Sequence, residues 1–422
     1  MTGQDNDVSV ITHGCRLNTS DSDVVRLRAQ EAGLKNAVIV NTCAVTAEAV
    51  RQARQTLRRA RRENPTAQII ATGCAVQIEP QNFAAMSEVD MVLGNEEKLS
   101  AYSYTATADE NNRVKVGDIM RPRPMNGHSP ARSPDRTRGV VQIQTGCNHR
   151  CTFCIIPFGR GNARSLAPGH IVAQTRRLVD EGCREIVLTG VDITAYGADL
   201  PDRPTLGWMV DYVLHSVPDL ARLRLSSLDP AEMDDHLLGL IADEKRFMPH
   251  LHLSMQSGDS LILKRMKRRH TREQAIALCG RLRDIRPDIV FGADLIAGFP
   301  TETEAMLENS ISLVEECGLT WLHVFPFSPR PGTPAARMPP VDPGLVRERA
   351  ARLRHTGKSS RDAFLDKEKG NYRRVLMETT HKGRTPHFVP VILRNGTATP
   401  GDILNVLLED HEQGVCGGVP VS

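Results

Sequence analysis

Short apolar runs alternate with amphipathic helical stretches through the N-terminal part of the chain. Such alternation is typical of parallel strands that are covered by helices. It predicts an open parallel α/β domain over residues 1–102. The strands of this domain are predicted at Val8–Ile11, Val38–Val40, Ile69–Ile70 and Val89–Leu93.

From Val140 onward the pattern becomes a repeated strand–helix unit, with helices such as Gly169–Glu181 and Thr303–Cys317 between the strands. Six parallel units predict a partial (β/α)6 TIM-like barrel over residues 139–365, with its site at the C-terminal strand ends. The predicted strands are Val140–Gln144, Glu185–Leu188, Leu223–Ser226, Leu251–Met255, Val290–Leu295 and Trp321–Phe325.

Two further segments complete the predicted α/β fold. Residues 103–138 lack periodicity and are rich in Asn, Gly and Pro, which predicts a linker. Residues 366–422 predict a small C-terminal β-barrel, either a nucleic-acid-binding or a packing module. Its expected strands are Arg374–Met377, Phe388–Leu393 and Ile403–Leu408.

Composition narrows the class of protein but does not identify a partner. The 422 residues include 53 Lys and Arg against 50 Asp and Glu, so the net charge of +3 does not demonstrate nucleic-acid binding. The first seven residues are polar, and no apolar stretch reaches the length of a membrane span. We therefore expect a cytoplasmic protein without a membrane partner. Its ten cysteines suggest metal or redox chemistry and not disulfides, although Cys183, Cys279, Cys317 and Cys416 are expected to be ordinary buried thiols.

Three cysteines lie close together in the stretch Cys147-Asn-His-Arg-Cys151-Thr-Phe-Cys154, directly after the first predicted barrel strand. Three thiolates can hold a four-iron cluster and leave one iron open to a small ligand. The alternative is a zinc site with His149 as the fourth ligand, although the spacing is unlike that of usual zinc sites. The C-x3-C-x2-C spacing resembles the signature of the radical S-adenosylmethionine (SAM) superfamily, which implies a 4Fe-4S cluster that binds SAM.

A second set of three cysteines occurs in the N-terminal domain. Cys15, Cys43 and Cys74 each follow a predicted strand at its C-terminal end. In open α/β sheets these ends face one crevice, so the three thiols are predicted to converge there. The alternative is that they are ordinary buried cysteines of the core.

Four further residues are candidate SAM contacts. Phe153 matches the aromatic residue that the superfamily places near the adenine of SAM, or it is an apolar plug under the loop. Gly190, Gln256 and Asp294 lie at or near the ends of predicted barrel strands. Each of them serves equally well as a turn or capping residue.

Two basic stretches are candidate phosphate-binding surfaces. Arg51, Arg54, Arg58 and Arg62 recur at helical spacing and share a face, and Lys264–His270 is a basic run after the fourth barrel strand. Either stretch is equally consistent with a solvated surface.

Together these features resemble the methylthiotransferase family of radical-SAM enzymes over nearly the whole chain, and most closely its tRNA threonylcarbamoyladenosine branch. The resemblance implies that Cys15, Cys43 and Cys74 hold a second 4Fe-4S cluster, and that the C-terminal domain is a TRAM-like β-barrel. It is carried by Ile186–Gly190, His250–Leu253, Leu263–Met266, His323–Ser328 and Gly332–Met338.

The same resemblance implies a reaction and its partners. Two SAM molecules would be used, one as methyl source and one for a radical that removes hydrogen from adenine C2. The expected substrate is N6-threonylcarbamoyladenosine next to the anticodon in a tRNA anticodon loop. A monomer is expected to work with a sulfur source and an electron donor such as flavodoxin or ferredoxin. Alternatives are isopentenyladenosine tRNA, a ribosomal-protein side chain, or an iron–sulfur electron carrier with an RNA-binding tail.

Overall fold

A computed structural model describes residues 8–105, 113–125, 127 and 137–421 of the chain. The described residues form two compact units. The first unit draws on 1–133, 144–166 and 328–336, and the second on 134–143, 167–327 and 337–422. The polar segment 1–7 and part of the predicted linker 103–138 lie outside the described residues.

The N-terminal part of the first unit is the predicted open α/β domain. Its sheet has the order β1-β2-β3-β4-β5, and all neighbouring strands are parallel. The elements are β1 (Val8–Thr12), α1 (Arg16–Glu31), β2 (Ala37–Thr42), α2 (Ala47–Glu63), β3 (Gln68–Gly73), α3 (Cys74–Ile78), α4 (Pro80–Ala84), β4 (Met91–Leu93), α5 (Tyr102–Thr105) and β5 (Val114–Lys115), with a 3-10 turn at Glu97–Leu99.

The central strands of this sheet are buried on both faces. Val38 and Val40 belong to one apolar cluster, whereas Ile39, between them in sequence, belongs to another. Because successive strand residues point to opposite faces, helices must cover both sides. This explains why the strands appear in the sequence as continuous apolar runs.

Helix α2 illustrates how the sequence specifies a helix. The Thr46 side chain accepts a hydrogen bond from the Ala49 amide and caps its first turn. Val50, Ala53 and Leu57 are buried at helical spacing, while Arg51 and Arg58 are exposed. The amphipathic pattern therefore orients the helix on the sheet.

The central part of the chain follows in the order of its sequence. Its elements are β6 (Arg138–Gln142), β7 (Gln144–Thr145), α6 (Ile156–Arg160), β8 (Arg164–Ser165), α7 (Pro168–Asp180), β9 (Glu185–Thr189), α8 (Leu206–Ser216), β10 (Arg222–Leu225), α9 (Asp235–Asp243), β11 (His250–Gln256), α10 (Ser260–Arg265), α11 (Arg272–Ile285), β12 (Val290–Ala297), α12 (Glu304–Glu316) and β13 (Leu319–Pro326), with 3-10 turns at Ile193–Ala195 and Pro334–Arg337.

All six predicted barrel strands are present in the second unit, and every pairing between them is parallel. The strands β10-β9-β6 form one sheet and β11-β12-β13 form another. Two isolated parallel bridges connect the two sheets. Leu223 of β10 pairs with Phe247, which precedes β11, and Leu228, which follows β10, pairs with Leu253 of β11. The prediction of a partial (β/α)6 barrel is confirmed.

The C-terminal segment begins with a long helix and ends in a closed barrel of order β14-β15-β16-β18-β17, as predicted. Two of its strands, β15 and β18, were not predicted from the sequence. The elements are α13 (Pro343–Glu368), β14 (Tyr372–Met377), β15 (Lys382–Arg384), β16 (Pro390–Leu393), β17 (Ile403–Glu412) and β18 (Val415–Pro420).

Within the second unit, this small barrel contacts the N-terminal ends of the parallel strands. Arg222, the first residue of β10, donates to the carbonyl of Arg374 at 2.6 Å. Arg224 donates to the carbonyl of Pro386 at 3.0 Å. The small barrel is thus docked at the strand ends opposite to those where sites of TIM-like barrels are found. Among the described residues, no helix combines the length and apolarity that a membrane crossing requires.

Candidate functional site

The three N-terminal cysteines lie at the ends of neighbouring strands, as predicted. Cys15 follows the turn after β1 and precedes α1, Cys43 follows β2, and Cys74 begins α3 directly after β3. Gly14 has φ +97°, and a Cβ there would lie 2.9 Å from the Cys43 sulfur. This glycine therefore allows the β1 turn to approach Cys43 closely.

The electrostatics of Cys43 show that the three thiols are neighbours. Burial is the main cause that raises the pKa of the Cys43 thiol to about 11, and the nearby Cys74 and Cys15 thiols add to the increase. A buried group of thiols has to be deprotonated before it ligates a metal. Positive charge next to these sulfurs would lower the cost of that deprotonation.

Two buried cations lie in this part of the first unit. The Arg160 side chain donates from Nε to the Cys74 sulfur at 3.2 Å and forms an ion pair with Asp21 at 2.7 Å. Lys98, which is fully buried, also contacts Asp21 at 2.7 Å. Two cations with one carboxylate leave an excess positive charge beside three cysteines.

Buried amides complete this network. Asn95 accepts a hydrogen bond from Lys98 at 2.7 Å and donates to the Cys74 sulfur at 3.7 Å. Asn18 accepts from Arg160 and donates to the carbonyl of Thr42 at 3.0 Å. None of these polar residues was predicted as a site residue, because they are far apart in sequence and match no motif.

The cysteines of the second set, Cys147, Cys151 and Cys154, form a loop between β7 and α6 in the same unit. The Cys147 amide donates to the carbonyl of Gly161 at 3.1 Å, and the Cys154 amide to that of Cys151 at 3.1 Å. Helix α6 follows this loop and ends at Arg160. One short segment therefore carries the second cysteine set and the cation that contacts the first.

A C-terminal segment of the first unit fixes this loop from another side. The amide of Ala335 donates to the carbonyl of Thr152 at 2.9 Å. Ala335 belongs to the Gly332–Met338 stretch, which carries part of the family resemblance. A hydrogen bond between backbone groups explains why the motif matters structurally without any reactive side chain.

The three sulfurs of neither described cysteine set lie close enough together to share one zinc ion. Ligands of one tetrahedral zinc ion lie about 3.8 Å apart, given Zn–S bonds of about 2.3 Å. Within the part of the chain that the structure describes, neither cysteine set has all three sulfurs within 4.8 Å of one another. Cys147 and His149 do lie within that distance, but the other two thiols of the loop do not complete a compact set with them.

An apolar cleft of about 440 Å³ lies in the first unit beside these elements. Ile78 of α3 and Ile155 and Phe158, which follow Cys154, contribute to its walls. The remaining wall includes Ile119 and Met120, from the region predicted as a linker. A cleft lined by residues that follow both cysteine sets was not evident from the sequence.

The four candidate SAM contacts are distributed between the units. Phe153 belongs to the cysteine loop of the first unit, whereas Gly190, Gln256 and Asp294 belong to the second. Gln256 ends β11 with φ +68°, an uncommon conformation for a residue with a side chain. It pairs with Leu295, next to Asp294 on β12, so these two candidates lie on neighbouring strands.

Asp294 is held by two histidines of the adjacent strands. His252 on β11 contacts its Oδ1 at 2.9 Å, and His323 on β13 contacts the same oxygen at 3.1 Å. Burial alone would raise the pKa of Asp294, but the hydrogen bonds from His252 and His323 hold it well below its usual range. Neither histidine was predicted as a site residue.

The two basic stretches are partly neutralised by neighbouring acids. Arg51 pairs with Glu48 at 2.5 Å, and Arg54 pairs with Glu79 at 3.1 Å. In the second stretch, Arg268 pairs with Asp229 at 3.0 Å, while Lys264 and Lys267 are exposed. Phosphate binding by these stretches stays a prediction.

Two protein-family models match this chain, one in its N-terminal part and one in its central part. Residues 141–314 match the radical SAM superfamily, and residues 7–94 match the uncharacterized protein family UPF0004. The two matches contain the two cysteine sets separately.

Comparison with individual proteins gives similar sequences over nearly the whole chain. The threonylcarbamoyladenosine tRNA methylthiotransferase MtaB of Rickettsia prowazekii is 48% identical over 405 residues, which cover 96% of this chain and 95% of that protein. The MtaB proteins of Aquifex aeolicus and Bacillus subtilis are 33% and 35% identical, covering 95% and 82% of this chain and 100% and 79% of their own lengths.

Among solved structures, the radical SAM methyltransferase TsrM from Kitasatospora setae, with cobalamin and a 4Fe-4S cluster bound, is similar in fold. It has a TM-score of 0.55 and 16% sequence identity, and the match covers 79% of this chain and 77% of that one. At this identity the likeness supports the fold alone.

Proposed function

Since the chain belongs to the family of threonylcarbamoyladenosine tRNA methylthiotransferases within the radical SAM superfamily, we propose that it transfers a methylthio group to C2 of N6-threonylcarbamoyladenosine in tRNA. The resemblance drawn from the sequence is thereby confirmed. The modified nucleoside is proposed to lie next to the anticodon. The observation that carries the proposal is the combination of two three-cysteine sets in a chain 48% identical to a curated relative over 96% of its length.

Two 4Fe-4S clusters and SAM are the cofactors that fit these residues. Cys147, Cys151 and Cys154 would hold one cluster, and Cys15, Cys43 and Cys74 the other. Bound there, these groups would supply the one-electron chemistry and the sulfur that the transfer requires. Phe153, Gly190, Gln256 and Asp294 are the residues we assign to SAM.

Buried charged residues of the chain would stabilise a cluster at the N-terminal cysteines and hold one of its ligands in place. A cluster with three thiolates is anionic, so the excess positive charge of Arg160 and Lys98 over Asp21 stabilises it in a buried site. The hydrogen bond from Arg160 to the Cys74 sulfur fixes that ligand from the side of the SAM-binding loop. Helix α6, which ends at Arg160, directly follows the loop that carries the other cysteine set.

Three partners follow from the proposed reaction. The tRNA must present its base unpaired, which an anticodon loop allows. An electron donor such as flavodoxin or ferredoxin and a sulfur source are needed to close the cycle. Lys264 and Lys267, both exposed, are proposed phosphate contacts.

The test is mass spectrometry of tRNA nucleosides from a strain with and without the gene. We expect the methylthio form of N6-threonylcarbamoyladenosine to disappear and the precursor nucleoside to accumulate. Complementation with the gene should restore the product, and a Cys147→Ala gene should not. Loss of the methylthio form of isopentenyladenosine instead, or of a ribosomal-protein modification, would reject the assignment.

A further inference from the structure

Three polar side chains lie together on one face of the β11–β12–β13 sheet in the second unit. Leu251, Leu253 and Leu295 point to the other face and are buried. Because side chains alternate along a strand, the face opposite to these leucines carries His252, Asp294 and His323. Asp294 and His323 are direct register partners, and His252 pairs with Gly292, two residues before Asp294.

The absence of a side chain at position 292 is what allows this arrangement. A Cβ on Gly292 would lie 2.5 Å from Nδ1 of His252. The imidazole of His252 therefore extends across Gly292 to reach Asp294, and the two histidine rings are 4.7 Å apart. Each of the three strands thus contributes one side chain to a polar cluster. Packing of the sheet does not require such a cluster.

The exposure of the three side chains increases from one edge of this group to the other. The exposed fraction is 12% for His252, 23% for Asp294 and 63% for His323. Both imidazoles bind Oδ1 of Asp294, and His323 does so through Nδ1. Its second nitrogen, Nε2, lies on the far side of the ring from Asp294. His323 is therefore the member of the group that can reach a ligand.

We propose that His252, Asp294 and His323 form the subsite for the threonylcarbamoyl group of the substrate, with His323 as the contacting residue. This inference rests on the proposed function. His252 and Asp294 act through His323, because they orient its ring and leave Nε2 available. Oδ2 of Asp294 accepts neither imidazole hydrogen bond, so the same residue can serve the proposed SAM contact.

The chemistry of the threonylcarbamoyl group fits this subsite. The group carries a urea, a hydroxyl and a carboxylate, all of which form hydrogen bonds. An Asp-backed imidazole can accept a hydrogen bond at Nε2 or, when protonated, donate one to a carboxylate. An isopentenyl group would leave the imidazole without a partner, and a site built for hydrogen bonds rejects such an analogue strongly. The subsite therefore favours the threonylcarbamoyl nucleoside over the isopentenyl one.

Two histidines and a carboxylate are also a ligand set for a divalent transition metal. The contacts of 2.9 and 3.1 Å are ordinary hydrogen-bond lengths, and they account for the arrangement without an ion. The experiment therefore includes metal binding by these three residues as a competing outcome.

The experiment compares reconstituted wild type with His323→Leu and His323→Asn on tRNAs that carry threonylcarbamoyladenosine, unmodified adenosine or isopentenyladenosine. We expect His323→Leu to raise KM for the threonylcarbamoyl tRNA at least tenfold and to lower its kcat/KM advantage over the other two tRNAs by a similar factor. His323→Asn, which keeps a hydrogen-bonding group, should recover part of the loss.

His215→Leu is the matched control, because His215 is exposed on α8 and contacts Asp211. It should keep the wild-type KM and selectivity. Wild-type selectivity in His323→Leu would overturn the subsite while leaving the proposed function intact. Wild type could also retain one equivalent of zinc, manganese, cobalt or nickel after dialysis against EDTA, and His323→Leu could lose it. That result would overturn the subsite and show that the three residues form a metal site. No turnover of threonylcarbamoyl tRNA by wild type would overturn both proposals.

Discussion

At the scale of single residues, Arg160 connects the two cysteine sets. It ends the helix that follows Cys154, and its guanidinium contacts the Cys74 sulfur and Asp21. A buried cation next to three thiolates would lower the energy of an anionic cluster held by them. The residue is 5% exposed, so solvent screens this effect little.

We predict that Arg160→Ala weakens the N-terminal site in two ways. Loss of the buried hydrogen bonds to Asn18 and Asp21 should lower the free energy of unfolding of the cluster-free protein by about 1–3 kcal/mol, because Asp21 keeps its ion pair with Lys98. In the reconstituted protein, a chelator should remove iron from the N-terminal site faster than in wild type. Denaturant titration and the time course of chelated iron measure the two effects.

Arg160→Lys retains the charge and should lose less iron than Arg160→Ala. Arg62→Ala, an exposed arginine in the last turn of α2, is the control and should behave like wild type in both assays. Equal iron loss from Arg160→Ala and wild type would show that the guanidinium does not support the cluster.

The sequence indicated the cysteines of the candidate site but not the residues that surround them. The spacing of Cys147, Cys151 and Cys154 and the strand-end positions of the other cysteines are local signals. Lys98 follows two glutamates in a polar stretch, which is typical of an exposed residue, yet it is fully buried. Its burial depends on Asp21, 77 residues away in sequence, and no local pattern encodes that contact.

At the scale of elements, the buried strands and capped helices were the predictable part. Thr271 caps α11 and forms a capping box with Gln274, and Thr303 caps α12. The strands β5 and β15 have only two and three residues, so too few side chains alternate to give a signal. They form because a neighbouring strand offers hydrogen bonds, which is a tertiary effect.

The contact between the small C-terminal barrel and the parallel strands depends on a buried ion pair. Glu185, the first residue of β9, accepts from Arg224 at 3.0 Å, and Arg224 also donates to Pro386 of the C-terminal segment. Burial opposes the charge of Glu185, but Arg224 and the other nearby arginines hold its pKa below the usual value. The folded protein therefore stabilises the ionised form of Glu185.

We predict that Glu185→Gln lowers the free energy of unfolding at neutral pH by about 3–5 kcal/mol, because Arg224 and Arg222 would stay buried without their carboxylate. A depressed folded-state pKa stabilises the protein above the unfolded-state pKa of about 4.3, and the gain is lost as pH falls toward the folded-state value. Wild type should therefore lose stability below that pH more steeply than Glu185→Gln.

Denaturant titrations from pH 7 down to pH 3 measure this difference. Glu308→Gln is the control, because Glu308 is exposed and pairs with Arg352 on the surface. It should change stability by no more than about 1 kcal/mol. Parallel pH profiles for wild type and Glu185→Gln would contradict the assigned role of the ion pair.

At the scale of the whole molecule, the chain contains two separate cysteine sets in one unit and a six-stranded parallel sheet system in the other. The alternation of strands and helices was enough to predict both architectures. The sequence did not indicate that the Cys147–Cys154 loop belongs to the same compact unit as the N-terminal sheet. That grouping arises from contacts such as Asn95 with Gly159, which span 64 residues.

We predict that anaerobically reconstituted protein binds roughly eight irons, four for each cluster. Replacement of Cys147, Cys151 and Cys154 by Ala should remove about half of this iron, and replacement of Cys15, Cys43 and Cys74 the other half. Iron and sulfide analysis with Mössbauer spectroscopy checks both variants. Full iron content in either triple variant would show that its cysteines are not cluster ligands.

Binding of tRNA should weaken as salt rises, because phosphate contacts release counterions. We predict that the double variant Lys264→Ala, Lys267→Ala lowers the slope of log K against log salt by roughly two. Lys358→Ala, Lys367→Ala, exposed on α13, is the matched control and should keep the wild-type slope. Filter binding over a salt series gives the slopes, and an unchanged slope in the first variant would remove these lysines from the RNA contact.

The most direct measurement is mass spectrometry of nucleosides after purified, reconstituted enzyme has acted on tRNA that carries N6-threonylcarbamoyladenosine. The reaction contains a reductant, a sulfide source and SAM with a deuterated methyl group. We expect one deuterated methylthio group to replace one hydrogen of the threonylcarbamoyladenosine base, and we expect no product from Cys147→Ala or Cys74→Ala. An unchanged nucleoside, or methylthiolation of isopentenyladenosine tRNA alone under the same conditions, would contradict the proposed function.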